Sequence, residues 1–114
     1  MNKIIINFKS TLDSWGENFF NTKLISDIMA LPKNALPLQQ ALSQGDIASE
    51  RPDKITVMSN EETTTGINIK LGVFFTEIIS GCSCGDDLGS LNGYCEMLLI
   101  IDKQTGNAEF KVSG

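Results

Sequence analysis

A sustained alternation of apolar and polar residues constrains the fold of this chain most strongly. From residue 67 to residue 75 every odd-numbered position is apolar, and most even-numbered positions are polar or small. The apolar set is Ile67, Ile69, Leu71, Val73 and Phe75. Successive side chains of a β-strand point to opposite faces, so this pattern predicts a strand with one buried face. Glu77 falls on the apolar face, and we expect the strand to bend, bulge or end near it.

Three further segments carry strand patterns. Residues 54–59 and 108–112 alternate, whereas residues 95–102 are apolar on both faces, as is typical of a central strand. Polar turns at 60–64 and 103–107 separate them. The sequence therefore predicts a four-stranded antiparallel meander over residues 54–113. A short N-terminal strand, residues 3–8, could join one edge of it.

The first half of the chain predicts helices. Ser14 and Glu17 have the spacing of a capping box, which predicts a helix from Ser14 to the stop at Pro32. Its buried stripe would contain apolar residues three or four apart, namely Phe20, Leu24, Ile28 and Leu31, widened by Phe19 and Ile25. A second, short helix is expected at 37–43, followed by a loop at 46–53. The predicted fold class is α+β, a single domain over 1–114, with one or two N-terminal helices packed on one sheet face.

Composition narrows the functional classes. The net charge of −5 argues against a nucleic-acid binder, which needs a cationic surface, and against attachment to an anionic membrane. No apolar run is long enough to span a bilayer, and the first residues lack a secretory signal, so we expect a cytoplasmic protein. The chain contains no histidine, which removes every nucleophile–imidazole constellation. A non-enzymatic role is therefore favoured.

All three cysteines lie in one segment, at positions 82, 84 and 95, and two aspartates lie between them. A hairpin that sets residues 76–79 opposite 95–98 would bring the three thiols together. One hypothesis is then a zinc site, although Cys-x-Cys spacing differs from the usual Cys-x-x-Cys. A redox pair is a second hypothesis, and small core residues in a tolerated loop are the third. The candidate metal ligands are Cys82, Cys84, Cys95, Asp86 and Asp87.

The even-numbered sheet face is a second candidate site. It carries apolar side chains among polar ones, and the apolar members are Met58, Phe74, Ile78, Leu98 and Ile100. If the helices cover only the odd-numbered face, these residues form an exposed patch of the kind that marks an interface. The alternative is that a helix or the N-terminal segment covers them. The sequence favours a non-catalytic module that binds a protein partner or a second copy of itself. A thiol-based metal or redox module is the alternative, and no other cofactor is expected.

Overall fold

The computed structural model describes residues 6–42, 47–79 and 89–113, and these form an α+β fold. A mostly antiparallel, curled sheet of six strands is combined with two α-helices. The elements are β1 (Ile6–Asn7), α1 (Lys9–Leu12), α2 (Phe20–Met29), a 3₁₀ helix (Leu38–Ala41), β2 (Ile47–Ala48), β3 (Lys54–Glu62), β4 (Gly66–Ile79), β5 (Gly89–Asp102) and β6 (Asn107–Val112). The strand-rich second half and the helical first half agree with the predicted fold class.

Two long strands, β4 and β5, form the centre of the sheet. They pair over all 14 residues of each, from Gly66 opposite Asp102 to Ile79 opposite Gly89. Strands of this length extend about 46 Å, which accounts for most of the 54 Å long dimension of the molecule. As expected, β4 ends close to Glu77, at Ile79, although the pairing is still regular at Glu77 itself. Glu77 pairs regularly with Leu91, and its side chain is only 2% exposed.

The remaining strands complete the two sides of this hairpin. On one side, β6 pairs with β5, and β1 pairs with β6. On the other side, β3 and the short β2 both pair with β4. The residues expected to form a loop at 46–53 thus include a strand, β2. Backbone bonds from Ser49 N to Thr76 O (2.8 Å) and from Asp53 N to Phe74 O (2.7 Å) join the stretch between β2 and β3 to β4.

A β-bulge lies in β3 between Val57 and Ser59. Before it, odd-numbered β3 residues pair with odd-numbered residues of β4, but beyond it Asn60 pairs with Ile69. The bulge therefore changes which residues of β3 share a face with the apolar side chains of β4. Beyond the bulge β3 continues to Glu62, into residues that the sequence indicated as a turn.

The core face of the sheet, which we define as the odd-numbered side of β4 and β5, is buried along most of its length. From Ile67 to Phe75 and from Cys95 to Ile101 its apolar side chains are at most 2% exposed, and they are Ile67, Ile69, Leu71, Val73, Phe75, Cys95, Met97, Leu99 and Ile101. Toward the other end of the hairpin, Leu91 is half-buried and Ile79 is 37% exposed. Phe20, Leu24 and Ile28 of α2 belong to the same apolar cluster. Burying each large side chain stabilises the fold by roughly 1.5–3 kcal/mol. The alternating pattern and the helical stripe thus meet in one core.

The helical half differs in detail from its prediction. Ser14 does not cap a helix; it follows α1, and its buried hydroxyl donates to the Thr11 carbonyl at 2.7 Å. Gly16 has a φ of +90°, a left-handed conformation that interrupts helical backbone, and α2 begins only at Phe20. Phe19 therefore precedes α2 and is 53% exposed instead of widening the buried stripe.

The second predicted helix is a shorter 3₁₀ turn over Leu38–Ala41, preceded by Pro37. Leu38 is buried in the core, as expected for the inner edge of this element. The turn also supports β2, because the Ala48 N–H donates to the Gln39 side-chain oxygen at 3.0 Å. The predicted C-terminal residue, Ser43, lies outside the described residues.

Gly93 tests the packing of the core face. A β-carbon added there would lie 2.8 Å from the Phe75 ring and 3.0 Å from the Glu77 carboxylate, and both of those side chains are buried. We expect Gly93→Ala to destabilise the fold by about 1–3 kcal/mol, because a packed ring must move. Urea unfolding measures this change in the free energy of unfolding. Gly89→Ala is the matched control in the same strand, since its added carbon meets Ile79 only at 3.6 Å. Equal stability of the two variants would contradict the packing described.

Candidate functional site

The structure tests only part of the predicted cysteine cluster. Cys82, Cys84, Asp86 and Asp87 lie outside the described residues, so the cluster stays a prediction. Cys95 is described and lies within β5. Its position relative to the ends of the 80–88 connection can therefore be compared with the expected hairpin geometry.

The hairpin register differs from the one expected. Thr76 pairs with Asn92, and Cys95 pairs with Val73. Cys95 is six residues along β5 from Gly89, a separation of roughly 20 Å at the rise of an extended strand. The difference arises because β5 includes residues 89–94, whose two glycines, serine and asparagine indicated a loop. The register that would have set 76–79 opposite 95–98 is absent.

Cys95 is a core residue in its own strand. Its side chain is 2% exposed on the core face, and burial raises the pKa of its thiol. A raised thiol pKa means that the folded state favours the neutral thiol. The free energy of unfolding therefore decreases as the pH rises from the usual pKa of a thiol toward the raised pKa of Cys95. Metal binding and nucleophilic attack both require the thiolate. Within the described ranges, no group of three acidic or cysteine side chains could hold a metal ion.

The other candidate, the even-numbered sheet face, is open to solvent in its middle. Met58, Phe74 and Tyr94 are each between 40% and 48% exposed. The other predicted members, Ile78, Leu98 and Ile100, are half-buried. We call this surface the open face and define it by six residues: Met58, Phe74, Ile78, Tyr94, Leu98 and Ile100. Tyr94 was not predicted because the sequence placed the start of its strand one residue later.

Three of these residues form a compact cluster across three strands. The rings of Phe74 and Tyr94, directly opposite each other, have centroids 4.8 Å apart at an angle of 53°. The Tyr94 hydroxyl lies 3.7 Å from the Met58 sulfur, which places the ring across the sheet toward β3. Gly72 makes this possible, because a β-carbon there would lie 2.9 Å from the tyrosine hydroxyl. The glycine thus leaves room for an aromatic ring to lie flat on the open face.

Charged and polar residues divide the open face into two parts. Lys70 and Glu96 form an ion pair of 3.1 Å between the aromatic cluster and Leu98. Beyond Leu98, a groove of about 460 Å³ begins next to Ile100. Its remaining lining mixes polar and apolar residues and comprises Thr63, Thr65, Gly66, Asn68, Ile101, Asp102, Asn107, Ala108 and Glu109. The surface therefore offers an aromatic cluster in one part and a concave polar–apolar groove in the other.

A smaller polar cavity lies beside Trp15. It measures about 230 Å³ and is lined by Trp15, Gly16, Glu17, Asn18, Phe20, Asn21 and Asn60. The Trp15 ring is half-buried and meets Phe20 edge-to-face at 4.9 Å. Nearby, a hydrogen bond from Lys103 and a second from Trp15 hold the pKa of the Glu62 carboxyl below its usual value. These contacts join the turn before α2 to β3 and to the 103–106 turn, which is a structural role.

Comparison with known proteins gives no family. No family model, curated protein or solved structure matches the chain. In the described part of the chain, no helix combines the length and apolarity needed to cross a membrane. The open face and the buried Cys95 are therefore the features of the described residues that bear on function.

The reactivity of the Cys95 thiol tests whether this residue belongs to the core. In a variant carrying Cys82→Ser and Cys84→Ser, we expect the remaining thiol to resist a disulfide reagent in the native state, because it is buried and neutral. The same thiol should react promptly in guanidinium chloride, and absorbance of the released thiolate measures both rates. Prompt reaction of the native variant, or stoichiometric zinc in the unmodified protein, would contradict the assignment of Cys95 to the core.

Proposed function

We propose that this protein is a non-catalytic interaction module that binds a protein partner through its open face. The observation that carries the proposal is the exposed cluster of Met58, Phe74 and Tyr94 on a regular sheet. Aromatic residues and methionine are enriched at protein interfaces, where a rigid ring contributes a large contact area. Three such side chains, each at least 40% exposed and with Tyr94 in contact with both of the others, are more than the scattered surface hydrophobics of an ordinary monomer.

The proposal takes residues 54–113 as the four-stranded meander and the two helices as lying on the core face. Burial of Phe20, Leu24 and Ile28 in the same cluster as the odd-numbered sheet residues supports this arrangement. The exposed state of Phe74 and Tyr94 supports it as well, because a helix over the even-numbered side would bury them. A two-layer domain of this kind has one free sheet surface.

The charges of the open face favour a protein partner over a nucleic acid. Lys70 is paired with Glu96, and Lys111 is 3.7 Å from the Glu109 carboxylate. Cations that are already paired offer little to a phosphate backbone, whose binding depends on releasing counterions. A protein partner with an apolar centre and a polar rim would match the aromatic cluster and the flanking ion pairs.

The thiol-based metal or redox module remains an alternative, centred on Cys82, Cys84 and Cys95. The neutral, buried Cys95 does not favour it, because metal binding and thiol exchange both require an accessible thiolate. Elemental analysis with free-thiol titration decides the matter. No observation in the described residues supports a further candidate function.

Charge placed on the open face tests the proposal. We expect tagged Phe74→Glu and Ile100→Glu variants, expressed in the native host, to lose a protein that co-purifies with the unmodified chain. Burying a carboxylate at an apolar contact is costly, so the purified pair should bind at least about tenfold more weakly in calorimetry.

Phe19→Glu is the control for Phe74→Glu, because Phe19 is also an exposed phenylalanine but lies before α2, away from the open face. Circular dichroism checks that all three variants fold. Recovery of the same proteins by all three variants, or of none by the unmodified chain, would refute binding through the open face.

A further inference from the structure

Only part of the outer edge of β5 is paired with another strand among the described residues. β6 pairs with β5 from Met97 to Ile101, and the last bond on that side runs from Ser113 N to Glu96 O at 2.9 Å. Residues 89–95 lie beyond that bond, and within the described residues no strand pairs with their outer side. Seven residues at the end of the longest hairpin thus form a bare sheet edge.

The direction of the unpaired backbone groups follows from the bonds on either side. Each residue of an antiparallel strand directs its N–H and C=O to the same side, and the sides alternate along the chain. The carbonyl of Glu96 faces β6, and those of Phe74 and Thr76 face away from β5. The N–H and C=O groups of Ser90, Asn92 and Tyr94 consequently point outward from the edge. All three residues are exposed.

The edge at β5 lacks the features that keep sheet edges apart. Natural edges are protected by charges, prolines or bulges. Among the described residues, the other exposed edges carry such features: β3 has Lys54, Glu61 and Glu62 as well as the bulge after Val57, and the part of β6 beyond its pairing with β1 has Glu109 and Lys111. Residues 89–95 contain no charge, no proline and no register shift. The 89–95 edge thus lacks the protecting features that the β3 and β6 edges carry.

We propose that a second copy of this chain pairs antiparallel with residues 89–95 across a two-fold axis at Asn92. With the axis at Asn92, all seven residues of the segment pair with the second copy. Ser90 then lies opposite Tyr94 of the second copy, and Asn92 lies opposite Asn92 of the second copy. The three outward pairs would form about six backbone hydrogen bonds, two for each pair. An uncharged segment can meet its own copy without like-charge repulsion, which favours a second copy over a charged peptide.

This dimer is distinct from binding through the open face. In an antiparallel pair, residues opposite each other have side chains on the same face, so the open faces of both copies would lie side by side. Tyr94 of one copy would neighbour Ser90 of the other. The dimer would therefore present two copies of the Met58–Phe74–Tyr94 cluster on one continuous sheet surface.

Opposite charges at the two-fold axis test the dimer. We expect the unmodified protein to dimerise in sedimentation equilibrium, and Asn92→Glu and Asn92→Lys each to weaken the dimer by about tenfold or more, because like charges then face each other. Mixing the two variants in equal amounts should restore an affinity within about threefold of the unmodified protein. Native mass spectrometry identifies the restored species as one chain of each variant.

Asn18→Glu and Asn18→Lys serve as controls, since Asn18 is an exposed asparagine remote from β5. Ile100→Glu separates this dimer from binding through the open face, and it should dimerise like the unmodified chain. The dimer is overturned by a monomer at every concentration up to millimolar, by association that ignores the charge at position 92, or by failure of the mixture to restore it.

Discussion

The register of β4 against β5 is the constraint on which the rest of this structure depends. Fourteen consecutive pairs set every odd-numbered side chain of both strands on the core face and every even-numbered one on the other. A slip of one residue in either strand would exchange its two faces and expose its half of the apolar core. The same register that buries Leu71 and Met97 also brings Phe74 and Tyr94 together in solvent.

Two glycines let aromatic rings lie flat on this hairpin, one on each face. Phe75 covers Gly93 in the core, and Tyr94 lies over Gly72 on the open face. Glycine weakens a strand by itself, but an aromatic side chain across it restores contact area to the sheet. The core pair supports the fold, whereas the exposed pair leaves a preformed aromatic surface. The proposed binding surface and the core therefore contain the same arrangement, an aromatic ring packed over a glycine of the neighbouring strand.

Periodicity predicted more of this fold than composition or caps did. The alternation from Ile67 to Phe75 identified the core face and hence the even-numbered candidate surface. The extension of β5 through Gly89 and Asn92 was hidden, because glycine and asparagine are typical of loops and the partner strand, not local propensity, makes them extended. Tyr94 was missed for that reason. The Ser14 capping box failed because the left-handed Gly16 interrupts the segment that it would have started.

Proton–proton contacts across the β4–β5 hairpin measure the central register directly. Because the even-numbered residues of both strands direct their backbone groups away from each other, they form the closely spaced pairs of an antiparallel ladder. A nuclear Overhauser spectrum should therefore show strong Hα–Hα contacts between Phe74 and Tyr94 and between Lys70 and Leu98. Hα–Hα contacts that link Thr76 to the 95–98 segment instead would contradict the register, and with it the open face and the bare edge of β5.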